Sequence, residues 1–223
     1  MNSTIKVLAS FLITLAGITV CYTASAIQAF TNIGQGPVGA FQLTASYVTG
    51  LKMGLIAILF QGIFFIGQII IEKRNWKIRQ SLQMLVTVYG GFVLDFVLYK
   101  LLSGVVIHSY ILKMILFIAA TAGNAFGVCI ILNAGFIRVP MEGFLLLLCN
   151  RIHISFGRLK QVTDFSLLAI GLVLTIVFHY DFTIREGTVI NAVLFGFFLD
   201  TFHQPVNRYF IRHKLKNAEE ITL

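Results

Sequence analysis

Asp95, Asp164 and Asp200 each stand in or at the edge of a long apolar run. A charge at the centre of an isolated membrane helix costs about 2.5–3.5 kcal/mol on insertion scales, so acids in such places are candidate members of an ion or solute pathway. Asp95 lies about 10 Å of helix from the nearer end of its run, at about 1.5 Å per residue, too deep to reach water by extending its side chain. Asp200 lies closer to an end. His203, three positions on, shares its helix face, so the two could share a proton, or the histidine could be solvated at the membrane border. Asp164 follows Thr163 and directly precedes an apolar run, which suits a helix cap.

Pro37 and Pro140 open the other candidate features, two short and partly apolar segments over 36–50 and 138–157 that Gly, Asn, Arg and His interrupt. Irregular backbone at membrane depth survives only where it is buried in protein or lines an aqueous cavity. A half-helix beginning at either proline would present free N–H groups and a positive dipole end, suited to an anionic or carbonyl-bearing ligand. Arg138 and Glu142 flank Pro140 and could pair with one another or gate such a cavity. An amphipathic interfacial hairpin is the alternative reading of both segments. Gln61, Gln68, Asn32, Asn124, Asn133 and Asn191 add uncharged polar groups in or beside the apolar runs, some of which join helices rather than bind solute. Gly123 and Gly127 form a small-xxx-small pair that serves close helix packing, with a homodimer face as the alternative.

Enzyme motifs are missing: there is no HExxH, no GxSxG and no Walker lysine. Cys21, Cys129 and Cys149 are embedded in apolar sequence without CxxC spacing. The expectation is a protein that is not an enzyme and takes no metal or cofactor.

The elements that must position these groups are helices in lipid. Of 223 residues 57% are hydrophobic and 12% charged, with mean hydropathy +0.87. A soluble domain carries about a quarter charged residues, so an ordinary soluble enzyme is excluded. A helix needs about 20 apolar residues to cross a bilayer, and six stretches approach or meet this, near 6–29, 51–71, 81–102, 110–133, 164–182 and 186–204. The fold class is all-α, a polytopic membrane helix bundle of about six spans with two proline-started re-entrant or interfacial half-helices. The formal charge of +8 is spread between apolar runs rather than along one polar face, so the bilayer, not nucleic acid, is the expected partner. Thirteen of the seventeen Lys and Arg residues fall on the side of the N-terminus, while Lys52, Lys100, Lys113 and Arg185 fall on the other. The positive-inside bias then puts both termini in the cytoplasm of a multi-pass cell-membrane protein. Lys6, the apolar run after it and Thr-Ala-Ser-Ala ending at Ala26 also have the form of a secretory signal.

An internal repeat argues for keeping that first span. An offset of 103 places Ala16 on Ala119, Pro37 on Pro140, Gly54 on Gly157 and Gln61 on Asp164. An offset of 105 then aligns Gly91-Phe92-Val93-Leu94-Asp95 with Gly196-Phe197-Phe198-Leu199-Asp200. Each half, about 6–105 and 106–205, holds three spans and one proline-started segment, followed by a basic tail over 206–223. An odd span count makes the second copy enter the bilayer from the other side, a 3+3 inverted repeat.

Ile33-Gly34-Gln35-Gly36-Pro37 and Gly135-Phe136-Ile137-Arg138-Val139-Pro140, with Phe156-Gly157-Arg158 and Gly187-Thr188-Val189-Ile190-Asn191-Ala192 before Gly196, give the chain from about residue 8 to 205 a resemblance. In their order these elements resemble the YczE/YyaS/YitT family of small bacterial integral membrane proteins. The resemblance implies a six-span inverted repeat of largely unassigned activity. Members of that family often carry an acid two residues after the motif proline; Glu142 complies, whereas the first half has Gly39.

The functional expectation is a small-solute or ion-coupled transporter working around a midplane site near Pro37, Pro140, Asp95 and Asp200. The alternative is a non-transporting scaffold or regulatory protein whose basic tail, Arg208 to Lys216, contacts anionic lipid or a cytoplasmic partner.

Overall fold

The structure is a computed structural model, and it describes residues 3–73 and 78–212, with side chains from Leu8 onward except those of Ile78 and Arg79. Among the described residues there is no strand. The described residues form eight helices in succession: α1 (Ser3–Thr31), α2 (Pro37–Thr49), α3 (Met53–Glu72), α4 (Ile78–Phe96, continued by a π turn over Val97–Leu101), α5 (Tyr110–Ala134), α6 (Pro140–Ile152), α7 (Phe156–Phe178) and α8 (Glu186–Arg212). This is a helical membrane bundle. The segments 8–31, 53–72, 80–101, 110–134 and 156–178 are long and apolar enough to cross a membrane. The sixth expected span, at the start of α8, falls short of that standard, because Asn191, Asp200, His203 and Gln204 interrupt its apolar residues.

Two boundaries differ from expectation. The fifth span begins at Phe156 with Ser155 as its N-cap, so Asp164 is an interior residue of α7 and not its cap. The last helix does not stop before Pro205 but runs through it to Arg212, anchored by the buried Phe210. Of the expected basic tail, Arg208 and Arg212 are therefore helical, and Lys214 and Lys216 lie outside the described residues, as do Arg74 and Lys77 and the side chains of Lys6 and Arg79.

The short helices have the expected limits to within one or two residues at their starts. Proline at the first helical position fixes φ and gives up an N–H that has no intrahelical partner there. Gly50 in the left-handed conformation closes α2, and its N–H returns to the Ser46 carbonyl. Thirteen residues make each helix about 20 Å long, too short to span. Their packing gives their direction. Val38 and Phe41 at the start of α2, and Met141 and Phe144 at the start of α6, join one apolar cluster around Phe60 and Leu167, in the middle of α3 and α7. The other end of α2 reaches the end of α7, where the rings of Tyr47 and Tyr180 stand 6.4 Å apart. Both half-helices thus begin inside the bundle, and they leave it toward opposite faces.

Helix pairing follows the repeat. Exchanging α1–α4 for α5–α8 turns the parallel pair α1·α4 into α5·α8, α2·α7 into α3·α6, and α2·α3 into α6·α7, and all of these pairs are packed. The α1·α5 pair maps onto itself. It is an antiparallel crossing in which a Cβ on Gly127 would stand 2.8 Å from the Gly17 carbonyl oxygen and 2.6 Å from Cys21 Sγ. The small-xxx-small pair of α5 is therefore spent within the chain. One extensive pair breaks the exchange: α3 packs closely on α4, while α7 and α8 form no comparable interface.

Candidate functional site at the half-helix starts

At the start of α6 the orphan donor of Met141 is satisfied. The first N–H groups of a helix have no intrahelical acceptor. Gln61 Oε1 of α3 accepts from the Met141 N–H at 2.9 Å, and Gln68 Nε2 donates to the Pro140 carbonyl at 2.5 Å and to Gln83 Oε1 at 3.2 Å. Gly143 leaves room for this amide, since a Cβ there would lie 2.9 Å from Gln68 Nε2. Beside this start, between α1, α4 and α5, is a void of about 10 Å³, the size of one water, whose lining includes the polar side chains of Thr14, Tyr22, Gln83, Thr87 and Arg138.

The start of α2 is built from the counterpart residues and filled differently. Gln28, Gln35, Thr121 and Asn191 occupy the repeat positions of Ile131, Arg138, Ile18 and Val86, all of which line that void. Gln28 Nε2 donates to Thr121 Oγ1 at 2.9 Å, Asn191 Nδ2 donates to the same oxygen at 3.4 Å, and Thr121 in turn donates to the Phe117 carbonyl. Asn191 Oδ1 faces Gly36, where a Cβ would be 3.1 Å away. The loop before Pro37 is strapped to the start of α8: the Gly187 N–H donates to the Ile33 carbonyl and Arg185 Nη1 to the Asn32 carbonyl. Gly34, at φ +145°, lies against the backbone of Gly187 and Thr188, so only a glycine serves there.

Among the described residues no side chain accepts a hydrogen bond from the N–H groups of Val38 and Gly39, and the N-cap residue, Gly36, has none to offer. Gln35 lies over this start, 1% exposed, and its Nε2 makes no hydrogen bond. A buried amide without a partner costs about 1–3 kcal/mol. The same side chain explains Gly39: a Cβ there would come within 3.3 Å of Gln35 Cδ and closer still to Oε1, so the acid found in the second half has no room in the first.

The remaining candidates are dispersed. Asp95 Oδ1 accepts from the Gly54 N–H at 2.7 Å, and Tyr99, on the π turn, accepts from the Met53 N–H at 3.1 Å, so both cap the start of α3. Asp164 is paired with Lys160, with Nζ 2.7 Å from Oδ2, instead of serving α2 as its counterpart Gln61 serves α6. Arg138 is exposed and forms no ion pair with Glu142 among the described residues. Asp200 and His203 are exposed on α8 and share no hydrogen bond, so the structure does not bring Asp200 to Asp95 or to either half-helix start. Sequence reasoning passed over Gln35 as a site residue; its signal was the shared position with Arg138, two before the motif proline.

A match over residues 8–204 decides the family. The chain belongs to DUF6198, a family of unknown function. No curated protein and no solved structure matches the chain significantly. The DUF6198 match takes in both half-helices, every capping residue described above and the Gly196–Asp200 stretch. Membership in DUF6198 thus covers the repeated bundle and stops at the start of the basic C-terminal stretch.

Proposed function

We propose that this DUF6198 protein is a small-solute transporter of the cell membrane, with both termini in the cytoplasm and a binding site at the start of α2. Its relation to the YczE/YyaS/YitT membrane proteins, drawn from the ordered proline and glycine motifs, is part of the proposal. One observation carries it: among the described residues a buried amide, Gln35 Nε2, stands unpartnered beside the first N–H groups of a half-helix that begins inside the bundle, and no side chain accepts from these. Donors without acceptors in such a place select a solute that brings acceptors, a carboxylate or a carbonyl. Thr121 and Asn191 border the same start and would contact the rest of the solute.

Uptake by proteoliposomes tests this reading, with a panel of labelled small carboxylates and amides as probes. Uptake that Gln35→Leu abolishes and Gln35→Asn partly keeps supports it. No uptake of any probe, or uptake indifferent to Gln35→Leu, removes the site.

A specific feature favours the second reading, a static scaffold. Between the two half-helix starts Phe41, Phe60, Phe64 and Phe144 pack ring to ring, with centroids 5.0–5.5 Å apart. On the scaffold reading, removing residues 213–223, beyond the end of α8 and its buried Phe210, abolishes the protein's effect on its partner; on the transport reading, uptake survives the truncation.

A further inference from the structure

Gly54, Gly91 and Asp95 form a joint between α3 and α4. The helices approach until a Cβ on Gly91 would lie 2.7 Å from the Gly54 carbonyl oxygen, and the Asp95 carboxylate accepts from the Gly54 N–H at 2.7 Å. Only glycine at both positions permits this contact. The repeat carries the same three residues in its second copy: Gly157, Gly196 and Asp200.

There the joint is not made. A Cβ on Gly157 or on Gly196 would meet nothing within 4 Å. Asp200 is exposed and has no hydrogen bond or ion pair among the described residues. Ser155 does not cap α7 with its side chain. A glycine in a helix interior costs about 1 kcal/mol relative to alanine, so Gly196, which touches nothing, has no packing use in this conformation, and Gly157, in the first turn of α7, gains no contact either. Phe197, Asp200, Thr201, Gln204 and Arg208 lie on one open face of α8 that no other helix covers among the described residues. Its apolar member Phe197 is 63% exposed.

We infer that the protein has a second conformation in which α8 closes on α7, Gly196 packs on Gly157, and Asp200 accepts from the Gly157 N–H. The two joints lie at opposite ends of the bundle, because α3 starts at the face where α1 ends, and α7 starts at the face where α1 begins. The same chemistry is thus available at either end, which brings two packings of one chain close in energy. In the present structure the far joint is latched and the joint at the N-terminal face is open. Exchanging them opens the bundle alternately to the two sides. Asp95 and Asp200 are then gate residues and not parts of a solute pathway. The inference rests on the transport reading for its purpose, while the motion itself is measurable without transport.

Spin labels at Arg158→Cys and His203→Cys, both exposed, report the α7–α8 separation in the full chain in liposomes, with Cys21, Cys129 and Cys149 replaced by alanine. Two distances are expected. Gly196→Leu should remove the shorter one, and Asp95→Ala, which weakens the far joint, should raise its population about tenfold, the worth of roughly one hydrogen bond. A single long distance in every variant, a short distance that Gly196→Leu leaves in place, or a short distance that arises only between two chains overturns the inference. Uptake with a single distance would leave transport standing and remove the gate. Two distances responding as described, without uptake of any probe, would keep the gate and remove the transport reading.

Discussion

The Cys21 thiol donates to the Asn124 carbonyl at 3.6 Å, and the two residues are 103 positions apart, the offset that also places Pro37 on Pro140. A residue can meet its own counterpart only on the axis that relates the two copies. The α1·α5 crossing is therefore the pivot of the repeat, and the packed pairs on either side of it are exchanged by a half-turn. Gly17 and Gly127 give the pivot its close approach, and Asn124 Nδ2, donating to Ser25 Oγ at 3.0 Å, adds a polar tie beside it.

A side chain at the pivot should be costly. Gly127→Val puts atoms where Cys21 Sγ and the Gly17 backbone already stand, and overpacking of this kind costs about 1–3 kcal/mol or more. Thermal unfolding in detergent should fall accordingly, whereas Gly104→Ala, in open space, should leave the midpoint nearly unchanged.

Loss of the cap on α6 is a separate test. Gln61→Leu leaves the Met141 N–H buried and unpaired, at a cost of about 1–3 kcal/mol, while Gln61→Glu keeps an acceptor and should recover most of it. The ordering of the two variants in an unfolding series is the measurement, and equal loss from both would contradict the capping role.

Asp95 caps α3, so Asp95→Ala should lower stability by about 0.5–2 kcal/mol, with Asp95→Asn losing less. Asp200→Ala should leave stability unchanged in the same assay, since Asp200 has no partner to lose in this conformation. Similar destabilisation by both alanine variants would mean that the two joints are already alike.

Gly39→Ala should push Gln35 from its place, because the new methyl group overlaps the Gln35 amide. The expected result is a lower unfolding midpoint that Gln35→Ala partly restores, a coupling of about 0.5–3 kcal/mol in a double-mutant cycle. Additive effects would separate the two residues.

Much of this architecture was legible in the sequence. Apolar length marks a lipid-spanning helix, proline marks the start of a short one, and a sparse repeat of Pro, Gly and Asp aligns two copies, because these residues have backbone or solvation demands that hold wherever they occur. Those demands located the starts of α2 and α6 to within two residues, whereas α6 ends five residues before the expected limit. The partners of polar groups were not legible. Asp95 and Asp200 stand in almost identical sequence, yet one caps a helix and the other faces open space, and Gln61 and Asp164 are counterparts of which one caps the opposite half-helix and the other binds a lysine one turn away. A hydrogen bond needs two groups brought within about 3 Å from distant parts of the chain, and that meeting depends on how the helices are tilted and spaced. The sequence alone made the two halves equivalent, and only the tertiary structure, by closing α4 on α3 while leaving α8 apart from α7, made them different.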